Sequence, residues 1–477
     1  VGHIATFALP KSTHMKNLLL PLILLVCIVP AKAQQKPTLV KDMNISSNSS
    51  NPDHLLVVDD ILYFAADNGV NGLELWKSDG TVNGTEMVKD ITVGIGNSSP
   101  RNFVAFYDKL LFNANSNELW ISDGTENGTK KVADKAVTTG GAIANGFYFF
   151  SAYTSSTGYE LWRTDGTDAG TFMITETNSG SASGNPSYLT AMGDTVYFAA
   201  TGLAGRELWM SDGSVKGTQL VKDIYSGTSS SSPTDLVNYN GNLYFRANDG
   251  INGSELWKSD GTSLGTVMFA DIIPGSRSGY PNYIVNSGKW LYFAATDTAN
   301  GREIWKSDGT LNGTVMVKDL DPWGSSNPES LVGTNDKVFF IANVDNGKEL
   351  YFSDGTAANT RMTRDLYPIQ TDAQIRHMTA VGDTLFFVAH SAPNYQDFEL
   401  YMSTGTSSST RIVKDIIGGG TASNPYNLIA YEGKCFFVVN DRVKGTELWV
   451  SDGSLSGTTL FKDVYDGTEG SAITNVA

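Results

Sequence analysis

The sequence has little cysteine, little histidine and too few basic residues to balance its acids. Its 477 residues include two cysteines and five histidines. Cys27 lies in an apolar N-terminal stretch, so Cys435 has no partner for an internal disulfide, and a zinc site built on clustered cysteines is excluded. The chain has 34 lysines and arginines against 50 aspartates and glutamates, a net charge of -16. This excess of negative charge disfavours nucleic acid and anionic lipid as partners.

The N-terminal region has the features of a secretory signal peptide. Lys16 supplies a basic flank, residues 18–29 are apolar, and Ala31 and Ala33 are small residues two apart. The apolar stretch is too short to span a bilayer, and no later segment is apolar enough to anchor the chain. We therefore interpret residues 1–14 as upstream, non-native sequence, residues 15–33 as a signal peptide and residues 34–477 as a repeat domain. The sequence predicts a secreted or cell-surface protein without a transmembrane segment.

One phrase, Glu-Leu-Trp-x-Ser-Asp-Gly-Thr, recurs nine times after the leader. With variations it begins at Glu74, Glu118, Glu160, Glu207, Glu255, Glu303, Glu349, Glu399 and Glu447. Successive copies lie 42 to 50 residues apart. A repeat of this length is typical of a propeller or a solenoid.

Each unit contains four short strand patterns separated by turn residues. In the fifth unit we predict strands at residues 234–239, 242–248, 255–259 and 267–272, with Asn240-Gly241 as a hairpin turn. The second pattern is almost continuously apolar, as in residues 61–66, so both faces of that strand should be buried. Helical periodicity is missing after the leader. We predict an all-β fold, a β-propeller-like array of about nine four-stranded antiparallel blades, with a β-solenoid as the alternative.

The recurring phrase resembles the ELWxxDGT repeat family, also labelled hyalin-like, of secreted and cell-surface bacterial proteins, mainly from Bacteroidetes. The resemblance covers about residues 38–464. It implies export and surface display, and the family carries no single established activity. Residues 38–42 resemble a lone fourth strand and residues 471–476 a lone first strand. Either nine complete blades close into a ring with two spare end segments, or the sequence is a fragment of a longer protein. Nine units exceed the usual four to eight blades, so we favour a fragment truncated at its C-terminus or an unusually wide, possibly open, array.

The repeated residues are interpreted as structural, because a catalytic residue is needed once and not nine times. We expect Trp to fill the gap between blades, Glu to accept hydrogen bonds from a nearby strand or turn, and Asp and Gly to form a turn. This structural set comprises Glu74, Trp76, Asp79, Gly80, Glu207, Trp209, Asp212, Glu255, Trp257, Asp260, Glu303, Trp305, Asp308, Glu447, Trp449 and Asp452.

The variable segments should carry recognition. In an up-and-down blade the second-to-third loops and the connections between blades emerge on one face, and these segments vary in length and chemistry. Their aromatic residues, Tyr159, Tyr280, Trp323 and Tyr395, could stack on sugars or anchor a protein. Residues 67–72 and 249–253 offer oxygen ligands that would suit calcium, but they lack a calcium loop's closing Glu. We predict no metal site and no cofactor, with calcium as the alternative.

Catalytic motifs are weak. Residues 261–265 match G-x-S-x-G but lie in a predicted hairpin, where a nucleophile elbow would need a following helix. We therefore predict a non-catalytic binding or adhesion module that contacts extracellular glycan or protein. The alternatives are a polysaccharide hydrolase or lyase hosted by the propeller, and a passive surface or matrix protein.

Overall fold

The chain folds as a nine-bladed β-propeller. The computed structural model describes residues 53–79, 84–135, 138, 140–344, 347–368, 372–390, 398–418, 422–431, 433–442 and 446–462, which belong to one compact unit. These residues form 36 β-strands and no helix, and therefore include no helix that could span a membrane. Four consecutive strands make each of nine antiparallel sheets. The predicted fold class is confirmed, and the solenoid alternative is wrong.

The strands follow one another in blade order, and the four strands of each blade are called A to D. Blades 1 to 3 contain β1 (Asp53–Val58), β2 (Ile61–Asp67), β3 (Leu73–Ser78), β4 (Glu86–Lys89), β5 (Arg101–Phe106), β6 (Lys109–Ala114), β7 (Glu118–Ser122), β8 (Lys130–Ala133), β9 (Ala142–Ala144), β10 (Phe147–Thr154), β11 (Gly158–Thr164) and β12 (Phe172–Thr175). Blades 4 to 6 contain β13 (Ser187–Met192), β14 (Thr195–Gly202), β15 (Gly205–Ser211), β16 (Gln219–Lys222), β17 (Thr234–Tyr239), β18 (Asn242–Asn248), β19 (Ser254–Ser259), β20 (Val267–Ala270), β21 (Asn282–Ser287), β22 (Trp290–Asp297), β23 (Gly301–Ser307) and β24 (Val315–Lys318). Blades 7 to 9 contain β25 (Glu329–Gly333), β26 (Val338–Val344), β27 (Gly347–Ser353), β28 (Arg361–Met362), β29 (Arg376–Val381), β30 (Thr384–His390), β31 (Phe398–Ser403), β32 (Arg411–Lys414), β33 (Tyr426–Tyr431), β34 (Lys434–Asn440), β35 (Thr446–Ser451) and β36 (Thr459–Lys462).

Strand A lies at the centre of the ring. Strands A of neighbouring blades contact each other, as β13 and β17 do, and their side chains bond across the gap. Asn238 donates to the carbonyl of Ala191 at 3.0 Å, and the Thr190 hydroxyl donates to the carbonyl of Leu236 at 3.1 Å. The A-to-B and C-to-D turns share one face, called the turn face. The B-to-C loops and the D-to-A connections share the other, called the crossover face.

Strand B is buried on both faces, as its apolar run predicts. In blade 5 Phe245 packs against Tyr197 of blade 4, while Tyr244 packs against Phe293 of blade 6. All four of these side chains are buried. The blades are therefore joined mainly by apolar contact between strands B and C, which is the largest stabilising contribution in such a fold.

The ring is closed by blade 9 packing on blade 1. Val438 of β34 lies in one buried cluster with Phe64 and Trp76, and Phe436 packs against the same cluster. The Tyr431 hydroxyl lies 3.4 Å from the Asp60 carboxylate. An open array, which the high number of units had suggested, is therefore wrong. The lone strands expected at residues 38–42 and 471–476 lie outside the described residues.

A basic residue at the end of strand D connects each of several blades to the next. Lys222 of blade 4 donates to the carbonyl of Thr266 in the C-to-D turn of blade 5 at 2.7 Å. The same bond joins Lys89 to Thr129, Lys318 to Thr360, Arg364 to Thr410 and Lys414 to Thr458. In these blades the lysine or arginine that precedes an aspartate after strand D therefore makes a polar contact with the next blade.

Candidate functional site

The Asp-Gly-Thr part of the phrase forms a closed turn on the turn face. Asp260 accepts the backbone N–H of Thr262 at 2.8 Å and its hydroxyl at 2.8 Å, and these bonds lower the pKa of Asp260. The same carboxylate covers Gly265, where an added Cβ would lie 2.0 Å from the nearer oxygen. A side chain at this glycine position can therefore be accommodated only if the aspartate carboxylate shifts.

Blades 7 and 8 depart from this pair: blade 7 keeps the aspartate and replaces the glycine, and blade 8 replaces both. In blade 7 Asn359 occupies the position of the second glycine, and its amide donates to Asp354 at 2.6 Å. In blade 8 Thr404 replaces the aspartate, and Ser409 replaces the glycine. The Ser409 hydroxyl then accepts the backbone N–H groups of Thr404 and Thr406 at 3.1 and 3.2 Å. A serine oxygen thus takes over the role of the missing carboxylate.

The glutamate of the phrase holds the connection between its own blade and the next. The Glu74 carboxylate accepts the backbone N–H of Ile91 at 2.9 Å and of Ser98 at 3.0 Å, and also the Ser98 hydroxyl. Ile91 and Ser98 lie 17 and 24 residues further along the chain. Equivalent bonds are made by Glu160, Glu207, Glu255, Glu303 and Glu399. These acids are fully or almost fully buried.

Burial makes these carboxyl groups hard to ionise. Desolvation raises the pKa of Glu74, Glu207 and Glu303, although their hydrogen bonds oppose the rise. It raises the pKa of Glu255 to about 7 and that of Glu349 to about 8. Burial is the largest cause of the rise in the pKa of Glu349, and the negative charges of Asp365 and Asp372 add to it. One Glu349 oxygen has no partner among the described residues.

Glu118 is the copy that departs from this pattern. The connection after blade 2 is short, because Glu160 follows Glu118 by only 42 residues. The Glu118 side chain is partly exposed and accepts bonds from Lys131, Trp120 and Asn115. Despite some desolvation, these bonds lower its pKa, so this glutamate is ionised. Asn115 also lines an open polar cleft of about 610 Å³ with Arg101 and Ser99.

The repeated tryptophans lie between blades. Trp76, Trp209, Trp257, Trp305 and Trp449 each pack against the preceding blade, Trp76 doing so across the ring closure. Asp79, Asp212, Asp308 and Asp452 lie in the C-to-D turns. Gly80 and the side chain of Glu447 lie outside the described residues.

On the crossover face, blade 3 carries an exposed aromatic pair. Tyr159 lies in β11, and not in a loop as expected, where it pairs across the sheet with Tyr153 of β10. The two ring centroids are 5.2 Å apart, and the side chains are 46% and 57% exposed. Tyr153 and Tyr159 are called the tyrosine shelf. Sequence reasoning missed Tyr153, although it is the aromatic residue at a strand-B position that other blades fill with Asp, Asn, Thr or His.

A cleft of about 510 Å³ adjoins the tyrosine shelf. Its wall combines Trp162 and Met173 with the hydroxyl-bearing hairpin at residues 154–157. The Lys135 ammonium lies 5.4 Å from the centre of the Trp162 ring. Aromatic faces beside hydroxyl and ammonium donors can stack on a sugar ring and bond its hydroxyl groups.

The other predicted aromatic residues do not join this cluster. Trp323 is 97% exposed on the connection between blades 6 and 7. Tyr280 is 53% exposed just before β21, with a left-handed backbone conformation. Tyr395 lies outside the described residues. The structure therefore distributes Tyr159, Tyr280 and Trp323 over separate blades of one face.

A ring of left-handed residues surrounds the centre of the crossover face, and the sequence analysis did not identify it. The second residue of strand A has a positive φ where a β-bulge shifts the pairing with strand B. These residues are His54, Asn102, Tyr188, Asp235, Tyr283, Ser330, His377 and Asn427. In most blades a proline stands two positions before the left-handed residue, whose type changes from unit to unit. That proline is the sequence signal by which these positions could have been found.

The oxygen-rich loops are closed by their own hydrogen bonds. Asp249 accepts the backbone N–H groups of Ile251 and Asn252 at 2.9 and 2.7 Å, and Asp67 accepts that of Gly69 at 2.7 Å. The part of the chain that the structure describes holds no group of three or more His, Cys, Asp or Glu side chains placed to bind a metal. Cys435 is a buried free thiol in β34.

Several solved structures match this chain at low sequence identity. BamB from Moraxella catarrhalis matches with a TM-score of 0.41 and 13% identity, over 73% of this chain and 92% of that one. The designed protein Ika8 matches with 0.38 and 13%, over 74% and 96%. A puromycin hydrolase variant complexed with PGG matches with 0.36 and 12%, and the match covers 85% of this chain and only 60% of that enzyme. No protein-family model and no curated protein matches the sequence.

Proposed function

We propose that this propeller is an exported, non-catalytic binding module of the ELWxxDGT type that recognises saccharide on its crossover face. The observation that carries the proposal is the tyrosine shelf with its adjoining cleft. Tyr153 and Tyr159 expose about half of their surface on two rigid, paired strands. Aromatic side chains on strands offer a large contact area at a small entropic cost.

The distribution of acids supports binding over catalysis. Seven of the nine repeated glutamates use their carboxylates to hold D-to-A connections by backbone N–H groups, Glu349 through that of Leu366. An acid whose oxygens are occupied by backbone donors is positioned to stabilise a loop and not to transfer a proton to substrate. The repeated phrase therefore builds the ring, and the segments that differ between blades carry recognition.

Among the repeated glutamates whose side chains the structure describes, Glu118 favours the rival function, a polysaccharide hydrolase or lyase. It is ionised, partly exposed and next to an open cleft. Purified protein incubated with a panel of polysaccharides should release no reducing ends, and Glu118→Gln should leave that result unchanged. Release of oligosaccharide that Glu118→Gln abolishes would refute the binding proposal.

Saccharide binding is tested directly with an array of immobilised glycans. We expect the folded protein to bind a restricted set of them, and we expect Tyr159→Ala to lose the signal. Binding that persists in Tyr153→Ala and Tyr159→Ala would place recognition elsewhere.

A further inference from the structure

Four arginines line the inner end of blades 4 to 8 on the crossover face. Arg206 of blade 4 donates to the Ser187 hydroxyl and, at 2.9 Å, to the carbonyl of Asn185, so its guanidinium lies over the start of strand A. Arg302 of blade 6 makes the equivalent bond to the carbonyl of Tyr280 at 3.0 Å.

The other two arginines also lie at the start of strand A, but they belong to strands B and A of their blades. Arg246 of blade 5 pairs across the sheet with Thr234, the first residue of strand A. It is the charged residue at a strand-B position where other blades have small, apolar or neutral polar residues. In blade 8 the first residue of strand A is Arg376 itself. We call Arg206, Arg246, Arg302 and Arg376 the arginine arc.

Among the residues that the structure describes, no carboxylate forms an ion pair with the arginine arc. Every ion pair within the described ranges uses lysine or histidine as the cation. Blade 7, which lies between Arg302 and Arg376, shows the contrast, because its Lys348 is paired with Glu329 at 2.6 Å. Burial lowers the pKa of Arg206, Arg302 and Arg376, and the Arg246 guanidinium lowers that of Arg302 further. Partly desolvated, unpaired guanidinium groups favour an anionic partner.

Two exposed tyrosines stand beside these cations. Tyr188 and Tyr283, at the left-handed positions of strands A in blades 4 and 6, are 46% and 42% exposed. Each phenol is close enough to a neighbouring arginine, Arg206 and Arg302 respectively, to influence its pKa. The arc therefore alternates charge with aromatic surface.

We propose that the arginine arc is a subsite for the carboxylate or sulfate groups of an acidic saccharide chain. This inference rests on the proposed saccharide-binding function and names the ligand class. Such a chain presents separate charges between uncharged ring faces, which matches single guanidinium groups interspersed with tyrosines. A nucleic acid fits less well, because its continuous phosphates would extend over the surface of a chain whose net charge is -16.

The test compares polygalacturonate oligomers with their methyl esters, which share the sugar backbone and lack the charge. Affinities are measured by isothermal titration at low salt for the full chain and for Arg246→Gln and Arg376→Gln. Neither variant removes a side-chain bond to the backbone. The Arg376 side chain contacts the Phe398 ring and Asn424, and no hydrogen bond of the Arg246 side chain is found among the described residues. Arg277→Gln is the matched control, because Arg277 is an exposed arginine on a neighbouring connection.

We expect the acid to bind at least about tenfold more tightly than the ester, and each arc variant to lose roughly tenfold in affinity for the acid. Arg277→Gln should change the affinity for the acid by less than about twofold. Equal affinity for acid and ester, or an equal loss in the control, would overturn the inference. So would tighter binding of a single-stranded oligonucleotide through the same arginines.

The two proposals can fail separately. If Tyr159→Ala abolishes binding of the neutral ester while the arc variants bind the acid normally, only the arginine arc is wrong. If the arc variants lose the acid and Tyr159→Ala binds normally, the arc stands and the tyrosine shelf is wrong. The melting temperature of each variant should be measured as well. Values within a few degrees of the parent protein's show that a loss of affinity reflects binding and not unfolding.

Discussion

The Glu303 carboxylate accepts the backbone N–H of Ser326 at 2.8 Å, although Ser326 lies 23 residues further along the chain and leads into the next blade. The other oxygen of Glu303 accepts the N–H of Leu320 at 3.1 Å. One buried side chain therefore fixes both ends of the connection between blades 6 and 7. Because the same bond pattern recurs around most of the ring, the blade connections differ in sequence but are anchored at the same two points.

Replacing Glu303 by Gln should destabilise the protein. In the parent protein each Glu303 oxygen accepts a backbone N–H. In the variant the Gln amide nitrogen replaces one of these oxygens and leaves its N–H without an acceptor, and an unsatisfied buried donor costs about 1–3 kcal/mol. Glu349→Gln is the matched control, since one Glu349 oxygen has no partner among the described residues. Urea unfolding should show a lower midpoint for Glu303→Gln than for Glu349→Gln. The reverse order would contradict the anchoring role.

Stability should fall as the pH rises through neutrality. Folding raises the pKa of Glu255 from 4.5 to about 7 and that of Glu349 to about 8. Between the unfolded pKa of 4.5 and these raised values, the folded protein holds protons that the unfolded chain has released. The free energy of unfolding therefore decreases as the pH rises through this window. We expect a lower melting temperature at pH 9 than at pH 6, and Glu349→Gln should reduce the difference. A melting temperature that rises over this range would refute the assignment.

The blade 8 residues should destabilise the turn of blade 5 less as a pair than the sum of the two single substitutions. Gly265→Ser alone should cost about 1–3 kcal/mol, because its Cβ meets the Asp260 carboxylate. Asp260→Thr alone removes the acceptor for Thr262 and should cost about 1 kcal/mol. In the double variant the serine hydroxyl can replace the carboxylate, as Ser409 does in blade 8. A double-mutant cycle should therefore show a loss smaller than the sum, and strict additivity would count against the substitution scheme.

If the ring is closed, replacing equivalent phenylalanines by alanine should lower the free energy of unfolding by similar amounts at the closure and within the ring. Phe64 faces blade 9 across the closure, and Phe245 faces blade 4 within the ring. Both are buried, so substitution by Ala should cost about 3–5 kcal/mol in each case. Thermal unfolding measures the two losses. If the ring were open in solution, Phe64 would face water and its replacement would cost much less.

Much of the fold could be predicted from the sequence because its periodicity is strict. The predicted strands of the fifth unit agree with β17 to β20, except that β19 begins one residue earlier and β20 ends at Ala270. The apolar run of strand B correctly indicated burial between two blades. A closed ring of nine blades was one of the alternatives but not the favoured one. Sequence could not select it, because contacts between Val438 and Phe64 depend on the summed rotation of nine blades and not on any local pattern.

The candidate site was harder to predict, because its residues are defined by exceptions to the repeat. Tyr159 was identified as an aromatic residue on the variable face, but its neighbour Tyr153 lies within strand B, where an aromatic residue does not stand out from the apolar run. Arg246 was likewise hidden in a strand-B pattern. The bulge that places Tyr188 and Tyr283 near the centre requires a left-handed backbone at non-glycine residues, which residue type alone does not indicate.

The most direct test of saccharide recognition is a titration of the best array ligand into three proteins: the parent chain, Tyr159→Ala and Tyr107→Ala. Tyr107 is 61% exposed in an A-to-B turn on the opposite face, so its replacement removes a similar side chain away from the proposed site. Loss of a stacking tyrosine should weaken binding by about 1–3 kcal/mol in Tyr159→Ala, with little change in Tyr107→Ala. Equal affinities in all three proteins would contradict recognition by the crossover face of blade 3.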